Sequence, residues 1–313
     1  MSKVIRLFSS LDDQLLKVSD IKYNRGLERI GLGEDKEIRL SIVTVTNDIS
    51  LLNRHLLRHK FVLLKMGFEI LVIHNVNNAN FKSIAEAYNY AIGFARAELI
   101  MFAHHDVEFN GTESMEALLH FCKTVGFGIL GTCGVADGQL HYSDRNVIRN
   151  NDDLLLRMPI KADIVDEPVF VVRKRVVTQY PFNDQLITGF HLCAAEYSLR
   201  MKTIGLPIYL FPLNFYHLNA ADKKESIVES ARSKRKHMLS WIETALKISS
   251  NYPGKKIVLI QGNLDRKLIF IYLVYYKWIS LVIPALSIRI IHFIVSNNNL
   301  SRIVNSFMRG FKS

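Results

Sequence analysis

Glu37–Thr46 reads EIRLSIVTVT and Glu69–Val76 reads EILVIHNV. Both runs are rich in β-branched residues and show no helical period, so each reads as a strand. Between them Leu51, Leu52, Leu56, Val62, Leu63 and Met66 recur at helical spacing, and Gly67 follows as a C-cap. Strand, helix, strand in that order predicts a parallel pair joined by a right-handed crossover. The unit then repeats. Ser83–Ala97 carries Ile84, Ala87, Ala91 and Ala95 at helical spacing, and Glu98–Ala103 reads ELIMFA, a short buried strand. The expected fold class is α/β, a mainly parallel sheet flanked by helices.

In such sheets ligands bind beyond the carboxyl ends of the strands. Three strand ends are therefore candidates: Thr46-Asn47-Asp48, His74-Asn75-Val76-Asn77, and His104-His105-Asp106. No GxGxxG or P-loop pattern follows the first strand, and Gly31-Leu32-Gly33 lies ahead of it, so the obvious nucleotide folds lose their main support. A carboxylate and imidazoles at the third strand end suit Mg2+ or Mn2+ when a substrate diphosphate supplies the other oxygens. The same residues also fit a plain loop in which Asp106 caps the next helix.

The chain has 313 residues, 49% of them hydrophobic and 22% charged, which excludes a disordered tail or a coiled coil. Cys122, Cys133 and Cys193 are odd in number and show no CxxC spacing. Neither a disulfide framework nor a zinc knuckle follows, and a reducing compartment is expected. Met1–Phe8 has too short an apolar stretch for a signal peptide, which predicts a cytoplasmic start.

The net charge of +11 is concentrated at one end. From Asn251 onward nine basic residues stand against Asp265 alone. They are interspersed with apolar and aromatic residues rather than spread over a polar face, which points to an anionic membrane surface and away from nucleic acid. Leu268–Ile288, LIFIYLVYYKWISLVIPALSI, is long enough to span a bilayer. Yet Lys277, Ser280, Pro284 and Ser287 form a weakly polar stripe, and Tyr272, Tyr275, Tyr276 and Trp278 cluster in its middle. An in-plane anchor fits that pattern best, with a span or a buried helical element as alternatives. Asp222–Ile248 reads as an amphipathic helix lying on the α/β domain, its apolar side formed by Ile227, Met238, Trp241, Ile242 and Leu246. The organisation expected is an unplaced N-terminal extension (1–36), an α/β domain (37–220), an amphipathic helix packed on it (221–253) and a basic, apolar membrane-associating tail (254–313).

The run from Leu40 to Val107, with SIVTVTND, EILVIHNV, Ala85-Glu86-Ala87-Tyr88-Asn89 and LIMFAHHDV, resembles the donor half of family 2 glycosyltransferases of the GT-A fold. The branch it is most similar to writes the metal-binding DxD motif as H-x-D-V. Further on, Asp184 and the run Phe190–Arg200, FHLCAAEYSLR, resemble the family's acceptor motif, and His217 in FYHLN stands where many such enzymes place a late histidine. The resemblance covers about residues 38 to 218.

The resemblance implies a Rossmann-like GT-A domain that transfers a sugar from a nucleotide-sugar donor to a glycan or lipid-linked glycan acceptor, with inversion. It implies a divalent cation, Mn2+ or Mg2+, held by Asp106, His104 and His217. Thr46, Asn47, Asn75, Asn77, Asn89 and His105 would surround the donor. A base must take the acceptor hydroxyl's proton. Where the family usually has an E-D pair this chain reads Cys193-Ala194, so Glu196 is the first candidate and His191 the second. Glu196 also stands at helical i,i+4 spacing from Arg200, which offers it a purely structural pairing. The departure keeps a second reading open, a non-catalytic nucleotide-sugar or glycan-binding relative in a membrane assembly. Taken with the tail, the reading places the protein at the inner face of the membrane as a peripheral enzyme. His55 and His59 read as surface-helix residues, and Arg173-Lys174-Arg175 as an exposed strand edge.

Removal of residues 254–313 is expected to abolish co-sedimentation with vesicles containing anionic lipid while the remainder keeps its circular dichroism spectrum. Unfolding of the shortened chain would instead make the tail part of the core.

Overall fold

A computed structural model of the chain describes residues 18–32, 36–143, 154–218, 227–252, 258–259 and 262–263. They fall into two units, one holding residues 18–218 and the other a long helix at 227–251. In chain order the first unit begins with β1 (Val18–Lys22), β2 (Leu27–Leu32) and β3 (Leu40–Thr46), then α1 (Ile49–Arg54) and α2 (Lys60–Lys65), then β4 (Phe68–His74), α3 (Ile84–Ile92) and β5 (Leu99–Ala103). Next come β6 (Val107–Phe109), α4 (Glu113–Thr124), β7 (Ile129–Gly131), β8 (Cys133–Ala136) and β9 (Gln139–Tyr142). Short strands β10 (Leu154–Leu155), β11 (Ile160–Lys161) and β12 (Ile164–Val165) lead to β13 (Val169–Arg173), α5 (Lys174–Gln179), α6 (Cys193–Thr203), β14 (Ile208–Leu210) and β15 (Phe215–His217).

The main sheet has nine strands in the order β1-β2-β4-β3-β5-β13-β7-β14-β11. β3 runs parallel to both β4 and β5, the arrangement expected from the sequence. β13 enters antiparallel between β5 and β7, while β14 lies parallel to β7, so the sheet is mixed. The carboxyl ends of β3, β4 and β5 and the amino end of β13 therefore share one edge. Sequence had left the region before residue 37 unplaced; there β2 pairs antiparallel with β4 and β1 antiparallel with β2, extending the sheet.

The expected single helix between β3 and β4 is two short ones. Leu57 N–H donates to the Leu52 carbonyl, an i to i−5 turn that separates them, and Leu52, Leu56, Leu63 and Leu64 all reach the core. Gly67 at the end of α2 has φ +78, which supports the predicted cap. The expectation of an exposed strand edge at Arg173-Lys174-Arg175 is overturned. β13 is internal, and the Arg173 guanidinium turns back to donate to the carbonyls of Cys122 and Val125. A guanidinium at the end of an internal strand is retained because those helix-terminal carbonyls need donors.

One buried polar cluster joins the parallel strands. Glu69 on β4 is fully buried; it accepts from Ser41 Oγ (2.6 Å) on β3, Arg96 N (2.7 Å) and Arg96 Nε (2.9 Å), and Arg29 Nε on β2 lies 3.3 Å away. Ser41 Oγ in turn accepts from Ala97 N at 3.1 Å, which fixes the approach to β5. On the same face of the sheet Tyr88, Phe102, Phe170, Phe182 and Tyr197 pack ring against ring, linking α3, β5, β13 and α6. The second unit contains α7 (Ile227–Asn251), in which Trp241, Ile242, Ala245 and Ile248 are buried at the three- and four-residue spacing of one helical face. The tail from residue 264 lies outside the described residues. Among the described residues no helix is long and apolar enough to cross a membrane.

Glu69→Ala would leave two guanidinium groups and a serine hydroxyl without their common acceptor. It is expected to destabilise the first unit by about 3–5 kcal/mol in urea unfolding, with Glu69→Gln falling between that and wild type.

Candidate metal centre

β5 ends at Ala103, and His104, His105 and Asp106 follow as a tight turn in which Val107 N–H donates to the His104 carbonyl (3.2 Å). β6 then pairs antiparallel with β15, placing His217 opposite Val107, and Leu218 N–H donates to the Asp106 carbonyl (3.1 Å). That ladder carries a residue from far along the chain onto the strand end. His217 Nε2 lies 3.2 Å from Asp106 Oδ1, His104 Nδ1 lies 4.0 Å from the same oxygen, and the two histidines approach to 3.4 Å.

One ligand atom from each of the three lies within 4.8 Å of the others, the one such group of metal-ligating type among the described residues. Burial pushes the Asp106 carboxyl up, but the hydrogen bond with His217 and the charges of His104, His217 and His105 outweigh it and hold the group well below the usual carboxylate range. An ionised, largely buried carboxylate facing two imidazoles is a fit donor set for a divalent cation. Two nitrogens and one oxygen favour Mn2+ over Mg2+, which prefers oxygen throughout.

The donor candidates divide into two sets. Thr46 Oγ1 is buried, lies 2.9 Å from His105 Nδ1 and also bonds within the turn to Asp48, whose carboxylate caps α1 through Leu51 N–H (2.9 Å). Asn47 and Asn77 are exposed at the first two strand ends, Asn77 in a left-handed conformation at φ 56. Asn75 and Asn89 are committed to the fold. Asn75 accepts from Asn80 N and Phe81 N and donates to the Phe81 carbonyl, and Asn89 exchanges two bonds with the Phe182 backbone. At the neighbouring strand end His74 Nε2 lies 2.7 Å from Glu28 Oε2 across β2 and β4. His55 and His59, read as surface residues, stand at Glu108 together with Arg58, with His59 Nε2 3.0 Å from its carboxylate.

The two candidate bases lie at the start of α6. Glu196 is 1% exposed and its Oε2 stands 3.5 Å from Arg200 Nη2, the i,i+4 pairing that the spacing allowed. His191 Nδ1 lies 3.8 Å from Oε2 of an acid that sequence reasoning missed, Glu167. Glu167 belongs to the short link Asp166-Glu167-Pro168 between β12 and β13 and is buried. It accepts from the backbone amides of Cys193 and Ala194 in the first turn of α6. Burial raises its carboxyl, the neighbouring Asp166 raises it further, and those amides pull it part of the way back, leaving it at about 8. Burial likewise pushes the Cys193 thiol well up, which keeps it protonated.

Three local features place Glu167. Gly131 on β7 lets β12 pass close by, since a Cβ there would meet Val165 Cγ1 at 2.2 Å. Val165 N–H donates to Ser198 Oγ (3.1 Å) and so ties β12 to α6. Leu192, buried and in the left-handed region at φ 69, turns the chain so that the first amides of α6 face the acid. The sequence held one faint signal, an acid before proline between two apolar runs, and nothing in it points to α6.

No family model and no curated protein matches the chain. Among solved structures it is similar to a mannosyltransferase, PcManGT from Pyrobaculum calidifontis, in complex with GDP-Man and Mn2+, at 9% identity and a TM-score of 0.46 over 87% of this chain and 84% of that one. It is also similar to GalNAc-T7 with UDP, GalNAc and Mn2+, at 11% identity and 0.40 over 61% and 45%, and to residues 1–349 of S. aureus TarS, at 10% and 0.39 over 80% and 75%.

Mn2+ at about 100 times its dissociation constant is expected to stabilise the folded chain by about 2.7 kcal/mol, a rise of several degrees in Tm. Asp106→Ala and His217→Ala should each remove that rise in a thermal melt, and Mg2+ should give a smaller one.

Proposed function

We propose that the protein is a glycosyltransferase that moves a sugar from a nucleotide-sugar donor to a carbohydrate acceptor, with inversion at the anomeric carbon. The observation that carries the reading is the group of His104, Asp106 and His217 at the carboxyl edge of the parallel strands, where an α/β sheet binds its ligand. The ordered motifs from SIVTVTND to FYHLN that resemble family 2 enzymes support it. Asp106, His104 and His217 would hold the cation. Bound there, it would supply Lewis-acid neutralisation of the charge on a departing nucleoside diphosphate.

The remaining roles fall to side chains around that edge. Asn47 and Asn77 are exposed where base and ribose would lie, and Thr46 with His105 closes the floor between the first and third strand ends. Asn75 and Asn89 shape the same pocket by holding the loops at Phe81 and Phe182. Glu196, paired with Arg200, suits bracing α6 better than proton transfer. The basic, aromatic tail favours a lipid-linked or polysaccharide acceptor and a peripheral position at the cytoplasmic face of a membrane. A second reading, a non-catalytic nucleotide-sugar-binding relative, is favoured by Cys193-Ala194 in place of the usual acids.

A thermal-shift screen of UDP-, GDP-, dTDP- and CMP-sugars, each with Mn2+, Mg2+ or EDTA, tests the proposal. One nucleotide class should stabilise the chain only with metal, and Asp106→Ala should abolish both that response and donor hydrolysis. Full hydrolysis in Asp106→Ala would remove the metal role, and metal-dependent binding without turnover would favour the second reading.

A further inference from the structure

The acids missing from positions 193 and 194 leave the transfer reaction without an obvious proton acceptor, and Glu167 stands where they would have stood. Its carboxylate accepts from the amides of those same two residues, so a carboxylate does sit at the first turn of α6, delivered from a different strand. Its other side is set by the sheet. Val169 pairs with Ala103, and His104 N–H donates to the Pro168 carbonyl at 3.0 Å. Glu167 immediately precedes Pro168, so its backbone is held next to the end of β5 by that bond. Glu167 is thus tied on one side, through Pro168, to the strand end that carries the metal group and on the other, through its carboxylate, to the first turn of α6. The imidazole of His191 faces its Oε2, with 9% of the Glu167 side chain exposed beside 14% of His191.

Given the glycosyl-transfer reading, on which this rests, we propose that Glu167 is the proton acceptor of the reaction, in the place of the acids absent at 193 and 194. In the step assigned to it, the acceptor oxygen forms its bond to the anomeric carbon as its proton passes to Glu167 Oε2. The bond from the anomeric carbon to the diphosphate oxygen breaks, and its electron pair leaves on the nucleoside diphosphate. The amide of Cys193 holds the carboxylate through Oε1, the amide of Ala194 also bonds it, and His191 faces Oε2, the oxygen assigned the proton. Burial, with Asp166 beside it, raises this carboxyl to about 8, which makes it a stronger proton acceptor than an ordinary carboxylate. Glu196 does not compete for the role because its charge is already met by Arg200.

The test follows donor hydrolysis, in which water takes the acceptor's place, by nucleoside diphosphate release from the same panel of UDP-, GDP-, dTDP- and CMP-sugars with Mn2+. Wild type is compared with Glu167→Gln and with the double variant Glu167→Gln/Ala194→Asp. The expected result is a fall in kcat of about 100-fold or more for Glu167→Gln, the range of general-base effects, with the donor KM and the Mn2+-dependent rise in Tm retained. The double variant should regain at least about tenfold, because the new carboxylate enters the same site; a merely structural role for Glu167 would not be rescued from position 194. Unchanged release by Glu167→Gln overturns this proposal and leaves the glycosyl-transfer reading in place. Donor binding by wild type without any release overturns the proposal in favour of a binding protein, and neither binding nor release overturns both readings. Should Glu167→Gln melt below the assay temperature, Glu167→Asp decides in its stead: a fall of about tenfold or more in kcat at unchanged donor KM supports the role, and undiminished kcat overturns it.

Discussion

The fold depends on a buried carboxylate that no solvent reaches. Glu69 is a carboxylate near the start of a mostly apolar strand, and a buried charge so placed is tolerated only when several donors converge on it. Here they come from β2, β3 and the turn before β5, so the group that must be satisfied also sets which strands adjoin. The apolar pattern of β3, β4 and β5 alone would allow those strands to slide. Satisfying Glu69 through Ser41 and Arg96 admits one register, and that register brings Thr46, His74 and Ala103 to a common edge.

On that edge the chemistry is assembled by pairing over long sequence separations. Asp106 and His104 are near neighbours in the chain, but His217 reaches them only because β15 lies along β6. Glu167 reaches the same region because β13 runs back along β5, and it meets α6 because β12 passes over Gly131 and is tied to Ser198. The aromatic cluster of Tyr88, Phe102, Phe170, Phe182 and Tyr197 joins α3 and α6 to β5 and β13, the strands whose ends lead to both. Rigidity matters there, since a proton acceptor misplaced by an ångström loses much of its effect.

Two acids near the start of α6 illustrate how environment assigns roles. Glu196 has a guanidinium one helical turn away and is buried against it, so its charge is already compensated. Glu167 has backbone amides, a neighbouring acid and little water, and its carboxyl is raised to about 8. The identity of the two side chains is the same, and their electrostatic surroundings set them apart.

The sequence by itself determined the local elements and their period. The β-branched runs ending at Thr46 and His74, the apolar ELIMFA strand and the alanine-rich α3 were legible because side-chain alternation and helical spacing are written in consecutive residues. The strand end His104-His105-Asp106 was legible for the same reason, and the motif order added His217. Tertiary structure alone decided the antiparallel insertion of β13, the addition of β1 and β2, the commitment of Asn75 and Asn89 to backbone, and the meeting of Glu167 with α6. Each depends on which groups find partners across the sheet, and hydrogen-bond satisfaction between distant segments leaves no periodic trace in the chain.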